Sequence, residues 1–156
     1  MKNAHDFFMQ VALLTATRST CSRKQVGSVL VRDNRIISSG YNGVLSGYQH
    51  CNEMEFGKID WQATKLTDKF SQLHHEFSII NELHAEQNVI AFAAKNGVAT
   101  DGCSLYTTLA PCNDCSKLIA AAGIVEVFYF EDYDRCSSGI DFLRKHGISV
   151  TKLGVK

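Results

Sequence analysis

The second half of the chain alternates between short apolar runs and stretches with helical spacing, and this alternation restricts the fold more than any other feature. The apolar runs cover residues 104–108, 125–130 and 148–153, and the helical stretches between them close at Gly123 and Gly147. Strand, helix, strand, helix, strand predicts parallel strands joined by right-handed crossovers. We therefore expect an α/β protein with a mixed sheet between helices.

The first half is predicted to add a hairpin and further helices. Two apolar runs at 26–31 and 35–38 flank Asp33-Asn34, residue types that tolerate the positive φ of a tight turn. Helical spacing is found in three more stretches. Their expected inward-facing residues are Phe7, Val11 and Leu14, then Ile59, Leu66, Phe70 and Leu73, then Ala85, Val89 and Phe92.

Length and charge restrict the function. A chain of 156 residues without a linker-like or repetitive segment is expected to form one domain over 1–156. Sixteen Lys and Arg balance sixteen Asp and Glu, whereas proteins that grip a nucleic-acid backbone usually have a basic excess. No apolar run approaches the ~20 residues that span a bilayer, and the first residues lack the features of a secretory signal. We expect a cytoplasmic protein that binds neither nucleic-acid polymers nor membranes.

Two short motifs carry the chemistry, His84-Ala85-Glu86 and Pro111-Cys112-Asn113-Asp114-Cys115, and each comes just before a helical pattern. Cysteines three residues apart at a helix N-terminus can hold one ion as thiolates, which the helix dipole favours. With His84 as the third ligand, a tetrahedral Zn²⁺ keeps a fourth position open, as catalytic zinc sites do. Glu86, outside the ligand set, is then placed to transfer protons.

The cysteines allow other interpretations. Six cysteines in a reducing cytosol are expected to be free thiols or metal ligands rather than disulfides. A C-x-x-C motif alone is also typical of a redox pair or of half a structural zinc site. The nearby His84 and Glu86 favour the catalytic zinc, and we assign no role to Cys103 or Cys136.

Over nearly its full length the chain resembles the cytidine and deoxycytidylate deaminase superfamily, and specifically the deoxycytidylate (dCMP) deaminases of bacteria and bacteriophages. Besides the zinc motifs, the segments that carry this resemblance are CSRKQVGSVLV from Cys21, RIISSGYNG from Arg35, His50-Cys51 and HAEQNVIAFAAKNG from His84. The resemblance implies a three-layer α/β/α cytidine deaminase-like fold, with a mixed five-stranded sheet and helices on both faces. It also implies hydrolytic deamination of dCMP to dUMP and ammonia, which feeds thymidylate synthesis, in the host cytoplasm if the source is a phage.

The resemblance further implies roles for single residues. Glu86 is expected to accept a proton from the attacking water and to deliver it to the substrate. The Ala85 backbone N–H is expected to bind the base carbonyl, and Asn42 to hydrogen-bond the sugar. The candidates around the 5′-phosphate are Ser22, Arg23 and Lys24, with Tyr133 closing over the nucleotide. Without the resemblance, Arg23-Lys24 fits a solvated surface equally well.

A second zinc and nucleotide regulation are also implied by the family. The residues that match the second, structural zinc site of some phage members are Cys21, Cys51, His74 and Glu82. The segment Gly40-Tyr41-Asn42-Gly43 resembles that of regulated members, in which dCTP activates and dTTP inhibits, so Tyr41, Asn42 and Gly43 are candidate effector contacts. Mg²⁺ is expected to accompany the triphosphates, and a homohexamer is the implied assembly. Without the resemblance to the family, the segment 40–43 indicates only a turn. Cys21 and Cys51 would then fit buried apolar positions.

Two other functions remain open at this point. A tRNA adenosine deaminase has similar size and zinc motifs, although it would have to read a splayed-out base in an RNA loop. A zinc-stabilised binding module without catalysis would not need Glu86. The balanced charge and the segment 40–43 favour a single nucleotide as the substrate.

Overall fold

The structure is a computed structural model that describes residues 3–61, 68–133 and 137–154. In chain order the elements are α1 (Ala4–Ala16), β1 (Gly27–Arg32), β2 (Arg35–Tyr41), β3 (Gly43–Val44), α2 (Lys69–Asn81), β4 (Glu82–Leu83), α3 (Ala85–Lys95), β5 (Ser104–Leu109), α4 (Asn113–Ala121), β6 (Glu126–Glu131), α5 (Ser138–Lys145) and β7 (Ser149–Lys152). Two short 3₁₀ turns, Cys51–Glu53 and Glu55–Lys58, lie between β3 and α2.

The five long strands form one mixed sheet in the order β2-β1-β5-β6-β7. β1 is antiparallel to both β2 and β5, whereas β5, β6 and β7 run parallel, as the alternating pattern predicts. The β1–β2 turn places Asp33 and Asn34 at φ values of 51° and 59°, which confirms the predicted hairpin. β3 and β4 pair separately as a two-stranded antiparallel sheet.

Helices cover both faces of the sheet, which confirms the expected α/β fold. On one face α1 packs Phe8 and Met9 against Tyr106 and Phe128. On the other face α3, α4 and α5 close the main core, whose fully buried members include Leu30, Val89, Leu105, Ile119, Val127 and Leu143. Within the described residues, no helix is long and apolar enough to cross a membrane.

The expected inner faces of α1 and α3 are partly wrong. In α1 the buried residues are Phe8, Met9, Ala12 and Ala16, while Phe7 is 52% and Leu14 69% exposed. In α3 the predicted Ala85 and Val89 are buried, but Phe92 is 53% exposed and Ile90 and Ala93 complete the inner face. Both helices carry apolar residues around much of their circumference, so helical spacing alone does not identify the packed face.

The predicted helix between β3 and β4 is shorter than its apolar spacing suggests. α2 begins only after Asp68, whose side chain accepts the Phe70 N–H at 2.9 Å, so Ile59 lies outside it. Leu66 falls outside the described residues. Leu73 is 39% exposed, and His74 replaces it on the inner face.

Candidate active site

The predicted zinc ligands lie at the starts of two helices. His84 immediately precedes α3, and its backbone N–H donates to Gln87 Oε1 at 2.8 Å. Cys112 precedes α4 in the same way, and its Sγ accepts the backbone N–H of Cys115 at 3.5 Å. First-turn N–H groups lack helical partners and attract negative charge, so the start of α4 favours thiolates.

The structure brings these three side chains together at distances that suit a metal. His84 Nδ1 lies 3.3 Å from Cys115 Sγ and 3.6 Å from Cys112 Sγ. All three ligand atoms are within 4.8 Å of one another. Ligand atoms around a tetrahedral zinc with ordinary Zn–N and Zn–S bonds are separated by about 3.6–3.8 Å. One nitrogen and two sulfurs at this spacing therefore fit a zinc ion.

The pKa values of Cys112 and Cys115 are shifted in opposite directions. The pKa of Cys112 is lowered to about 4, chiefly because the Cys115 side chain donates a hydrogen bond to its sulfur. The pKa of Cys115 is raised, first by giving that bond and then by burial. The pKa of His84 is raised mainly by its hydrogen bond to Cys112. The lowered pKa of Cys112 favours the thiolate, the form that binds a cation.

Glu86 lies next to this cluster without belonging to it. Its side chain is only 4% exposed, and burial raises its pKa to about 7, although a hydrogen bond with the Cys115 side chain acts in the opposite direction. A carboxyl group whose pKa is close to neutrality can both accept and donate a proton near pH 7. The position suits general acid–base chemistry.

A cavity of about 520 Å³ opens in front of these residues. Its walls include both His84 and Glu86 and most of the residues predicted to contact a nucleotide, namely Arg23, Lys24, Asn42, Ala85 and Tyr133. Pockets of this size and mixed polarity typically bind small molecules.

Asn42 has a structural task that the sequence does not reveal. Its Oδ1 accepts the Val26 N–H at 2.8 Å, and its Nδ2 donates to the Lys24 carbonyl at 2.9 Å. The side chain therefore fixes the backbone that carries Arg23 and Lys24. An amide has further donor and acceptor capacity, so this role leaves room for the expected contact with a sugar.

The four residues around the predicted phosphate differ in their surroundings. Lys24 forms an ion pair with Glu131. The guanidinium carbon of Arg23 lies 5.7 Å from the centroid of the Trp61 ring. Ser22 is not among the described residues that line the cavity; its Oγ accepts Trp61 Nε1–H at 3.1 Å and lies 3.4 Å from Cys51 Sγ. Tyr133 packs beside the small apolar cluster of Ala110, Tyr129 and Ile140.

Of the four residues predicted for a second zinc, Cys21, His74 and Glu82 line the same cavity, whereas Cys51 does not. Cys21 Sγ is 3.3 Å from His74 Nε2, and the ligand atoms of Cys21, Cys51 and His74 are within 4.8 Å of one another. Glu82 is outside this group, but it lines the cavity together with Cys21 and His74. Its Oε1 and His74 Nδ1 are both buried without a hydrogen-bond partner among the described residues. Buried polar atoms seldom stay unpaired, so this donor set fits a cation.

The thiols of the second group are polarised like those of the first. The pKa of Cys51 is lowered to about 4, chiefly by a hydrogen bond from Cys21. That bond raises the pKa of Cys21. Burial raises the pKa of Glu82. Of the two cysteines without an assigned role, Cys103 is buried in the main core, and Cys136 lies outside the described residues.

The segment 40–43 contains the last two residues of β2, then Asn42 and the first residue of β3, and it contacts α3. A Cβ on Gly40 would come within 2.6 Å of the Val89 backbone nitrogen, so only glycine permits this close approach. Asn88 Nδ2 donates to the Tyr41 carbonyl at 2.9 Å, and the Asn42 backbone N–H donates to the Val26 carbonyl at 3.1 Å. The segment therefore attaches the hairpin to the helix that begins at the zinc motif.

Two residues near the site are missing from the sequence-based predictions: Glu131, which lines the cavity, and Trp61, which does not but contacts His74. Trp61 contacts both Ser22 and the His74 ring, whose centroid is 4.8 Å from that of Trp61. Glu131 ends β6 and holds Lys24. A polar residue at the carboxyl end of a parallel strand is a known signal for a binding site, and Glu131 carries it.

Comparisons with known proteins match this chain to one protein family. The family model for the cytidine and deoxycytidylate deaminase zinc-binding region matches residues 2–131. The deoxycytidylate deaminase of Enterobacteria phage T4 is 37% identical over 91% of this chain and 86% of its own length. The crystal structure of the dCMP deaminase from cyanophage S-TIM5 in complex with dCMP and dUMP has a TM-score of 0.77 at 35% identity and covers 98% of both chains. A structure from work on tRNA:A34 deaminases, 23% identical with a TM-score of 0.60, shares the fold alone.

Proposed function

The chain belongs to the cytidine and deoxycytidylate deaminase family, and from this we propose that it hydrolyses dCMP to dUMP and ammonia. The observation that carries the proposal is the arrangement of Glu86 beside the His84, Cys112 and Cys115 cluster in a nucleotide-sized cavity. Relatives at 35–37% identity over most of the chain include a phage enzyme solved with dCMP and dUMP.

His84, Cys112 and Cys115 are the proposed holders of the catalytic zinc. A zinc ion bound by them supplies a Lewis acid that lowers the pKa of water from about 15.7 towards 7. Glu86 accepts the proton that this water loses. It passes the proton to N3 of cytosine while the water oxygen adds to C4.

The second half of the reaction uses Glu86 again. Its carboxylate takes the remaining proton from the oxygen on C4 and gives it to the amino group. The C4–N bond then breaks, ammonia leaves and the C4 carbonyl of dUMP forms. The burial that raises the Glu86 pKa to about 7 supports both transfers, because neither protonation state is strongly disfavoured.

Binding of the rest of the nucleotide is assigned to the cavity walls. The Ala85 backbone N–H belongs to the first turn of α3, where N–H groups have no helical partner, and we assign to it the base carbonyl. Asn42 is assigned the sugar, and Arg23 and Lys24 the 5′-phosphate. Tyr133 is assigned to cover the nucleotide. Ser22 has a weaker case, because its Oγ is already engaged with Trp61 and Cys51.

The second zinc is proposed to bind Cys21, Cys51 and His74, with Glu82 as the fourth ligand. Its support is the 3.3 Å approach of Cys21 to His74 and the unpartnered Glu82 oxygen. Because Cys21 immediately precedes Ser22 and Arg23, an ion here would fix the segment that faces the phosphate.

Regulation, assembly and metabolic role are proposed from the family. We expect dCTP with Mg²⁺ to activate and dTTP to inhibit, a homohexamer, and a role in supplying thymidylate synthesis in the cytoplasm. The contacts proposed for the effectors are Tyr41, Asn42 and Gly43. Steady-state rates with and without each triphosphate test the regulation, and indifference to both nucleotides would reject it.

The alternative of a tRNA adenosine deaminase has less support, because that likeness extends only to the fold. Direct assay of the purified, zinc-loaded protein separates the two functions. We expect release of ammonia from dCMP and none from an anticodon stem-loop. The reverse result would reject dCMP deamination. If neither substrate released ammonia, the result would favour a zinc-stabilised binding module without catalysis.

A further inference from the structure

We propose that Glu131 is a specificity-determining residue: through its ion pair with Lys24, it makes the cavity discriminate against nucleotides with more than one phosphate. The inference rests on the proposed function, since it assumes that Lys24 meets the phosphate of a cytosine nucleotide. It adds a residue, Glu131, to which the family resemblance assigns no role in choosing the substrate.

The backbone of Glu131 is held firmly beside the zinc motif. Glu131 is the last residue of β6 and pairs with Leu109, the last residue of β5. The Ala110 N–H donates to the Glu131 carbonyl at 2.8 Å, and Pro111-Cys112 follows directly in the chain. The carboxylate therefore projects from a fixed point near the proposed catalytic centre.

Lys24 is held from two sides. Its ammonium group pairs with Glu131, and its backbone carbonyl accepts Asn42 Nδ2–H at 2.9 Å. Both Lys24 and Glu131 line the cavity, and their side chains are 49% and 48% exposed. An ion pair this exposed is weak, so a phosphate can replace the carboxylate on Lys24 at little cost.

Two of the other carboxylates that line the cavity, Asp114 and Asp132, are paired differently. Asp114 pairs with Lys117, and Asp132 pairs with Lys152. Neither of these lysines lines the cavity, whereas Lys24 does. Among the described lysines, Lys24 is thus the one that both faces the cavity and is held by a cavity carboxylate.

In this arrangement, a phosphate that binds Lys24 deprives the Glu131 carboxylate of its ion-pair partner. A single phosphate that takes over Lys24 leaves Glu131 unpaired next to it. Each further phosphate brings more negative charge towards Glu131 and Asp132, and like charges at short range oppose binding. The site therefore accepts a monophosphate and penalises a di- or triphosphate.

The test compares kcat/KM for dCMP, dCDP, dCTP and deoxycytidine in the zinc-loaded wild type and in Glu131→Gln. Removing the charge should lower KM for dCMP about two- to fivefold, the range of an exposed ion pair. The ratio of kcat/KM for dCDP, which is not one of the proposed effectors, to that for dCMP should rise about tenfold, because the second phosphate no longer meets the Glu131 charge. Deoxycytidine, which has no phosphate, should change less than twofold.

Asp132→Asn is the matched control, because it removes the same charge one residue away but releases a lysine that does not face the cavity. A rise in the dCDP to dCMP ratio as large as that of Glu131→Gln would overturn the proposal. Glu131→Gln should also lose its effect in a Lys24→Met background. An unchanged effect there would show that Glu131 does not act through Lys24.

Calorimetric titration with dUMP and dUDP, neither of which is a proposed effector, separates failure of this inference from failure of the proposed function. If the wild type does not deaminate dCMP but Glu131→Gln still tightens dUDP binding relative to dUMP, the function fails and the inference stands. If the wild type deaminates dCMP and Glu131→Gln keeps the wild-type selectivity, the inference alone fails.

Discussion

At the scale of single residues, the chemistry depends on a carboxyl group kept away from water and from the ligand set. Glu86 is 4% exposed, and its burial raises its pKa to about 7. His84, two residues earlier, faces the cysteines instead, because it ends the turn before α3 while Glu86 already belongs to the helix. Two positions in one short motif, separated by Ala85, are thus the proposed metal ligand and the proposed proton carrier.

Glu86→Gln is expected to lower kcat for dCMP by about 10²–10⁴-fold, because the amide cannot carry the proton. Zinc content should stay at the wild-type value, since the three ligands are unchanged. Ammonia release and elemental analysis measure the two effects. The control is Cys112→Ser, which should lose the catalytic zinc together with the activity; a Glu86→Gln protein with near wild-type turnover would contradict the mechanism.

Individual residues also show the limits of prediction from sequence. The zinc motifs are recognisable because each is local and the residue types are chemically specific. The two backbone hydrogen bonds of Asn42 and the pairing of Lys24 with Glu131 join residues far apart in the chain. Such partners follow from the register of the sheet, which residue types alone do not determine.

At the scale of elements, the attachment of β2 to α3 decides where the first zinc motif lies. Gly40 lets the strand approach the helix backbone, and the Ser38 hydroxyl donates to the Val89 carbonyl at 2.8 Å. The order of strands and helices could be predicted, because apolar runs and helical spacing alternate clearly. The packed faces of α1 and α3 could not, because their apolar residues are not confined to one side.

Gly40→Ala is expected to destabilise the fold by about 1–3 kcal/mol, because the added methyl would meet the backbone of α3 at 2.6 Å. Denaturant unfolding measures this change. Gly154→Ala is the matched control, since an added Cβ meets nothing within 4 Å there. Equal stability of the two variants would show that β2 and α3 are not in close contact at Gly40.

At the scale of the whole molecule, α1 covers one face of the sheet while α3, α4 and α5 cover the other, and the cavity lies where the zinc motifs meet the hairpin and α2. The layers were predictable from the pattern of elements. The position of α2 against the segment 21–24 could be expected only from the family resemblance, which groups His74 with Cys21, because periodicity does not indicate the contacts of His74 and Trp61.

Metal analysis of the intact protein is expected to give two zinc ions per chain, and Cys51→Ser should reduce the value to one. Trp61, the only tryptophan, lies against His74, so zinc added to chelated protein should change its fluorescence. That change should be absent in Cys51→Ser and present in Cys112→Ser. A single zinc in the wild type, or a fluorescence response that depends on Cys112 alone, would rule out the second site.

Because both proposed metal groups border one cavity, metal retention and nucleotide binding are expected to depend on each other. Cys21 and His74 line this cavity together with His84 and Cys112, so both proposed metal groups border the space proposed for the nucleotide. Binding free energies at coupled sites are reciprocal. Whatever factor an ion adds to the affinity for a nucleotide, the nucleotide adds to the retention of that ion. Metal stoichiometry after dialysis and nucleotide affinity are therefore linked quantities, and each has to be measured at a stated value of the other.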